Sequence, residues 1–76
     1  MTTYKIDARR LFCPMPVIKA QDAISQLQNK ERLEVVATDR GVLHDIPAWC
    51  RINGHDIEQI LEENGEISIS IRVNKE

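Results

Sequence analysis

The sequence predicts an α/β fold, an α+β two-layer sandwich in which two helices pack on one face of a four-stranded mixed sheet, in the order β-α-β-α-β-β. Three observations predict it. Apolar residues at helical spacing follow a short alternating segment, a compact apolar run comes next, and an Asn-Gly pair separates two strand-like segments. The chain has 76 residues. We expect residues 1–76 to form a single domain that is too small to enclose a large substrate cavity.

The first strand and the first helix are predicted from the spacing of apolar residues. Apolar and charged residues alternate over 4–7, which favours a short strand, and 8–12 then form its connecting loop. From Pro14 onward, apolar residues recur at steps of three and four, which is typical of a helix, here ending near Asn29. The apolar set of this helix is Val17, Ala20, Ile24 and Leu27.

The middle of the chain is predicted to hold a strand and a short second helix. The nearly continuous apolar run over 33–37 is typical of a strand covered by helices. The helix that follows begins between Val42 and Ile46. Pro47 is expected in its first turn, where proline is tolerated, and Gly54 is placed to terminate it.

The C-terminal part is predicted to be a hairpin. Apolar and polar residues alternate over 67–73, and Asn64-Gly65 is a strong two-residue turn motif. Residues 55–63 are spaced partly like a helix, but the turn requires a strand before it. We therefore expect a strand over 55–63 with a bulge that breaks its alternation.

Composition and charge exclude several classes of function. The net charge of −2 gives no general attraction to nucleic acid, so we expect no direct nucleic-acid binding. No apolar stretch approaches a secretion signal or a membrane span, so we expect a cytoplasmic protein without membrane contact. In that reducing compartment the two cysteines are expected to be thiols. We also expect the protein to be a monomer.

The motif Cys13-Pro14-Met15-Pro16 lies where the first loop becomes the first helix. Pro14 disfavours helical backbone angles for the residue before it, so Cys13 is expected to cap the helix and Pro14 to be its first residue. A thiolate there gains from the helix dipole, and Arg9 and Arg10 lie close enough in sequence to favour it further, or to meet an acidic partner. We therefore expect a lowered pKa and a reactive thiol at Cys13; its alternative interpretation is a small buried apolar residue.

The segment 7–20, DARRLFCPMPVIKA, resembles the motif of the TusA (SirA-like) sulfur-carrier family, and Thr38-Asp39, 45–50 and Gly54-His55 resemble its second half. The resemblance implies the same β-α-β-α-β-β fold and a sulfur carried as a persulfide on Cys13, with no other cofactor. It also implies a donor protein, either a cysteine desulfurase or a rhodanese-like protein, and an acceptor protein. A carrier of this kind is a persulfide relay rather than an autonomous multi-turnover enzyme.

Two positions depart from the family pattern. Arg10 stands where glycine is common, and Met15 stands where members that act in tRNA thiolation carry an acidic residue. The pathway therefore stays open among tRNA thiolation, molybdenum-cofactor biosynthesis and sulfur oxidation. The alternative function is a regulatory or redox-sensing module that binds another protein without sulfur transfer.

The other candidate residues lie in the second helix and after it. Cys50 shares an apolar face with Ile46 and Trp49, so a structural role is favoured over that of a second thiol that resolves a Cys13 persulfide. His44 and His55 with the two cysteines match no common zinc spacing, so we expect no metal site. Trp49 is interpreted as a core or interface residue.

Overall fold

The computed structural model describes residues 3–75, and its elements follow the predicted order. The predicted two-layer fold with a four-stranded mixed sheet is confirmed. The elements are β1 (Thr3–Ala8), α1 (Met15–Ser25), β2 (Arg32–Ala37), α2 (Val42–Asn53), β3 (Asp56–Glu63) and β4 (Glu66–Arg72).

The strand order, which the sequence left open, is β1-β2-β4-β3. β1 and β2 run parallel, and β4 runs antiparallel to both β2 and β3. Because β1 and β2 are parallel neighbours whose paired residues end at Ala8 and Ala37, their outgoing loops leave the same edge of the sheet. Cys13, Arg9 and Arg10 lie in the first of these two loops.

The hydrophobic core lies between the helices and one face of the sheet. Alternate residues of β2 and β4 are buried, as expected for strands with one covered face. The largest side chains of this core are almost completely removed from solvent, which supplies the main favourable term in folding. They are Leu33, Val35, Val42, Ile46, Ile67, Ile69, Ile71 and Val73.

The C-terminal hairpin and its bulge are confirmed. Asn64 and Gly65 both have positive φ angles, of 54° and 78°, as a tight hairpin turn of the primed type requires. The β3–β4 register shifts between Ile57 and Gln59, so one extra residue is inserted there. This insertion explains why the apolar residues of β3 are not spaced as in a regular strand.

The ends of α1 differ from the prediction. Pro14, not Cys13, is the residue that caps the helix, because the Pro14 carbonyl accepts the first bond of the helix from the Ile18 N–H at 3.1 Å. The last helical residue is Ser25 rather than one near Asn29. Short-range bonds from the N–H groups that follow, to carbonyls three residues earlier, tighten the final turn and end the helix.

The start of α2 is the earlier of the two predicted positions, Val42. The expectation that Pro47 lies in the first turn is therefore wrong, because it is the sixth residue of the helix and lies inside it. Proline at this position has no N–H to donate to the carbonyl of Leu43. Gly54 ends the helix as predicted, with a left-handed φ of 84°.

Candidate functional site

Two loops at the same edge of the sheet are joined by hydrogen bonds around Cys13. The Arg10 N–H donates to Oγ1 of Thr38 at 2.9 Å, and the Cys13 N–H donates to Oδ2 of Asp39 at 2.9 Å. Residues 10–13 follow β1, whereas residues 38 and 39 follow β2. Segments distant in the sequence therefore fix the position of Cys13.

The Asp39 carboxylate accepts hydrogen bonds from both of these loops. Its second oxygen, Oδ1, accepts a hydrogen bond from the Gly41 N–H at 3.2 Å. The N–H donors of Cys13 and Gly41 stabilise the charged form and lower the pKa of Asp39 below its ordinary value. Asp39 therefore stays ionised at neutral pH.

The Cys13 side chain is half-buried beside Gly41. A Cβ atom built on Gly41 would lie 3.0 Å from Sγ of Cys13, a closer approach than nine in ten real Cβ contacts show. Gly41 has ordinary helical backbone angles (φ −57°, ψ −23°), so this position requires no positive φ. The absence of a side chain at Gly41 makes room for the sulfur.

The thiol of Cys13 lies in an acidic environment. Hydrogen bonding to the Asp45 carboxylate, burial, and hydrogen bonding to the Asp39 carboxylate raise the pKa of Cys13 to about 12. The expectation of a lowered pKa is therefore wrong. A neighbouring carboxylate disfavours the thiolate because the two negative charges repel each other.

The helix start does not compensate for this repulsion. The Met15 N–H, the first N–H of the helix, donates to the carbonyl of Phe12 at 2.9 Å. Pro16 has no N–H to offer. Neither of the first two helical residues therefore offers a free N–H, the group through which a helix N-terminus favours an anion.

Neither arginine supplies the missing positive charge. The Arg9 guanidinium pairs with Asp7 at 2.9 Å and with Glu66 at 3.3 Å, so its charge is engaged away from Cys13. Arg10 has a left-handed φ of 68°, the conformation that favours glycine, and its backbone N–H is bonded to Thr38. Asp45 and Asp39 are the charged groups that shift the pKa of the thiol.

Apolar side chains next to Cys13 are exposed to solvent. Phe12, Met15 and Ile18 are 78%, 48% and 43% exposed. Met15 and Ile18 lie three residues apart on one side of the start of α1, and Phe12 lies in the loop directly before Cys13. We call these three residues the apolar rim. Of the two prolines in the motif, Pro14 is exposed and Pro16 is buried, so Pro16 anchors the motif to the core.

Cys50 lies in the core and has no exposed surface. Burial raises the pKa of its thiol to about 11. An inaccessible, protonated thiol fits the structural role that the sequence favoured for Cys50. Cys13 and Cys50 are both free thiols.

The histidines have other surroundings than a metal site. Nδ1 of His55 accepts a hydrogen bond from the Asn74 N–H at 3.1 Å, and its ring stacks on Trp49 with centroids 5.4 Å apart. His44 is exposed on α2. Among residues 3–75, no three or more His, Cys, Asp or Glu side chains are grouped to hold a metal ion.

Across the same residues, neither helix has the length and apolar character to cross a membrane.

Sequence reasoning did not identify Asp39, Gly41 and Asp45 as parts of the site. Each lies at least 26 residues from Cys13 along the chain, and no local pattern links them to it. Thr38-Asp39 and Asp45 belong to the second half of the family resemblance, which was the available indication. The structure brings these residues to Cys13 through the pairing of β1 with β2.

Comparison with known proteins agrees with this fold and this motif. The family model described as sulfurtransferase TusA matches residues 4–73. The chain is 37% identical to the sulfur carrier protein TusA of Pseudomonas putida over 67 residues, which cover 88% of this chain and 84% of that protein. It is 29% identical to the sulfur carrier protein TusA of Allochromatium vinosum over 68 residues, covering 90% of each. A crystal structure of a SirA-like protein from Desulfitobacterium hafniense superposes with a TM-score of 0.83 at 25% identity, covering 97% of this chain and all of that one.

Proposed function

Because this chain belongs to the TusA sulfurtransferase family, we propose that it carries sulfur as a persulfide on Cys13 between a donor protein and an acceptor protein. The observation that carries the proposal is the placement of Cys13, a half-exposed free thiol beside the apolar rim at the loop edge of the sheet. Cys50 has no accessible surface, which leaves Cys13 as the thiol that a partner can reach. No other cofactor is needed.

Loading is a sulfur transfer between two thiols. The Cys13 thiol loses its proton, and the thiolate attacks the terminal sulfur of a persulfide on the donor. The S–S bond of the donor breaks as the Cys13–S–SH bond forms, and the donor leaves as a thiolate that takes up the proton. We propose a cysteine desulfurase or a rhodanese-like protein as the donor.

Unloading repeats the same chemistry in the other direction. An acceptor thiolate attacks the terminal sulfur, and Cys13 departs as a thiolate and regains a proton. A thiol with a raised pKa is a slow leaving group in such exchanges. The raised pKa of Cys13 therefore favours retention of the sulfur until an acceptor has docked.

The apolar rim supplies a contact surface for these partners. Exposed aromatic and methionine side chains are enriched in protein interfaces, and Phe12 and Met15 directly flank Cys13 and Pro14. We propose that donor and acceptor bind in turn over this rim. A cytoplasmic location and a monomeric state are parts of the same proposal, since the thiol must stay reduced and accessible.

The alternative function, a protein-binding regulatory module with an unreactive Cys13, has one observation in its favour, the raised pKa of that thiol. A redox-sensing version has less support, because sensor cysteines combine exposure with a lowered pKa. The two functions differ in whether a sulfur atom ever resides on Cys13.

Intact-protein mass spectrometry tests the proposal. The chain is incubated with a cysteine desulfurase and cysteine, or with a rhodanese and thiosulfate, and wild type is compared with Cys13→Ser and Cys50→Ala. We expect a reducible one-sulfur adduct on wild type and on Cys50→Ala, and none on Cys13→Ser. If neither donor adds sulfur to wild type, the regulatory module replaces the carrier.

A further inference from the structure

Two carboxylates from outside the Cys-Pro-Met-Pro motif surround Cys13. Asp39, in the loop after β2, accepts the backbone N–H of Cys13 at 2.9 Å, and both its oxygens and Sγ of Cys13 lie within 3.6 Å of the place where a Cβ on Gly41 would be. Asp45, in the first turn of α2, is the other carboxylate that raises the pKa of the thiol. We call Asp39 and Asp45 the acidic pair. Neither carboxylate has a partner in the ion pairs found among residues 3–75, so their charges act on the sulfur.

The sulfur also has little freedom to leave this environment on its inner side. Gly41 approaches so closely that a single added carbon atom there would come within 3.0 Å of Sγ. A reagent that attacks or donates sulfur must therefore reach Sγ from the solvent side. On that path it enters the negative potential of the acidic pair.

We infer that the acidic pair determines which sulfur donors load Cys13: it turns away small anionic sulfur compounds such as thiosulfate and polysulfide, and favours a protein donor that places a positively charged group beside the sulfur. This inference rests on the proposed function as a sulfur carrier. Asp39 and Asp45 are positioning residues in this scheme, since they act through Cys13.

Loading by a protein donor needs no reagent other than the donor persulfide and the Cys13 thiol. The cationic group of the donor pairs with the acidic pair, and the proton of Cys13 passes to the departing thiolate of the donor as the sulfur moves. An anionic small molecule brings no such group, so it meets repulsion and a protonated, weakly nucleophilic thiol. The same two carboxylates therefore affect both the docking of the donor and the reactivity of the Cys13 thiol.

The expected size of the effect follows from the charges. Reversing the sign of a unit charge about 6 Å from one carboxylate in water changes an encounter rate about tenfold. Two carboxylates therefore give a preference for a cationic over an anionic reagent of about ten- to hundredfold at low salt. Removal of one carboxylate lowers that preference about tenfold, and added salt lowers it as well.

This preference is measured with two thiol-modifying reagents that share the same reactive group but carry opposite charges. They are 2-(trimethylammonium)ethyl methanethiosulfonate and 2-sulfonatoethyl methanethiosulfonate. In each case the Cys13 thiolate forms a mixed disulfide, methanesulfinate leaves, and the thiol proton goes to buffer. The rates are followed by mass spectrometry on wild type, Asp45→Asn and Asp22→Asn, with Cys13→Ser as the blank.

Asp22 supplies the matched control because it is exposed on α1 and is not among the groups that act on the thiol. We expect Asp45→Asn to lose about tenfold of the cationic preference, and Asp22→Asn to keep the wild-type value. A wild-type chain with no charge preference, or an Asp45→Asn chain with the full wild-type preference, overturns the inference. Equal thermal unfolding midpoints for the two variants exclude a general loss of structure.

Sulfur loading separates this inference from the proposed function. Inorganic polysulfide is expected to load Asp45→Asn about tenfold faster than wild type, whereas Asp22→Asn matches wild type. If a protein donor loads wild type but the charge preference is absent, the inference fails and the carrier function stands. If the charge preference is present but no protein donor loads the chain, the carrier function fails while the electrostatic role of the acidic pair stands.

Discussion

Gly41→Ala is the substitution that tests the geometry of the site most directly. An alanine Cβ would lie 3.0 Å from Sγ of Cys13, whereas non-bonded heavy atoms pack at about 3.5–4.0 Å. The sulfur must therefore move by about 0.5–1 Å, which requires a rotation of about 30° about χ1 of Cys13 and costs about 0.5–1.5 kcal/mol.

The backbone compensates for part of this cost. Gly41 has helical angles that alanine adopts readily, so the substitution restricts the unfolded chain and stabilises the fold by about 0.4–1 kcal/mol. The two terms nearly cancel, and we expect the free energy of unfolding to change by less than about 1 kcal/mol. A displacement of about 1 Å at a reacting atom slows a reaction by up to about 100-fold, so sulfur loading should fall about 10- to 100-fold.

Gly65→Ala is the matched control for Gly41→Ala. Gly65 has a φ of 78° and nothing within 4 Å of an added Cβ, so alanine there strains the backbone by about 1–2 kcal/mol without touching the site. Loading is followed by intact mass and stability by urea unfolding. A folded Gly41→Ala chain that loads sulfur at the wild-type rate would contradict the close packing of Gly41 on Cys13, and a folded Gly65→Ala chain that loses loading would show that the effect is not specific to the site.

Three further predictions concern stability. Arg10→Gly should raise the free energy of unfolding by about 0.5–1 kcal/mol, because glycine adopts the left-handed φ of 68° without strain; an unchanged or lower melting temperature would contradict this. Burial lowers the pKa of His55 below its ordinary 6.5, so the unfolded chain binds the proton more readily, and stability should fall as the pH drops below about 6.5. His55→Gln should flatten that part of the pH profile of the melting temperature, and a profile as steep as that of wild type would count against the assignment. Leu33→Ala removes a side chain with no exposed surface and should cost about 2–5 kcal/mol in urea unfolding, whereas Leu61→Ala, at a residue 53% exposed, should cost much less; equal losses would refute the placement of the core.

The sequence predicts those parts of the fold that depend on local spacing. The hairpin at Asn64-Gly65, the bulge in β3 and the glycine that ends α2 each follow from residues within a few positions of one another. The ends of α1 were less predictable. Whether Cys13 or Pro14 caps the helix depends on which carbonyl accepts the Ile18 N–H. The path of the preceding loop determines which carbonyl lies in reach.

The position of the reactive cysteine could be predicted from its local motif, but its electrostatic surroundings could not. Cys13 stands out in its motif because two prolines flank it at fixed spacing. Its pKa could not be predicted from that motif, since the groups that set it, Asp45 and Asp39, reach the thiol only after β1 has paired with β2. Arg9 was nearer in sequence, yet its guanidinium pairs with Asp7 and Glu66 instead.

The bulged strand β3 has a consequence for how this chain behaves at high concentration. β3 forms one outer edge of the sheet, and an open strand edge invites another chain to pair with it and aggregate. Here the register shift distorts that edge. Three of its acidic side chains, Asp56, Glu58 and Glu62, form ion pairs with Arg72, Arg32 and Arg40, so the edge presents paired charges of both signs. A second copy that paired with β3 would have to follow the distorted register and strip water from these ion pairs, so the bulge and the charged pairs together disfavour strand pairing between copies.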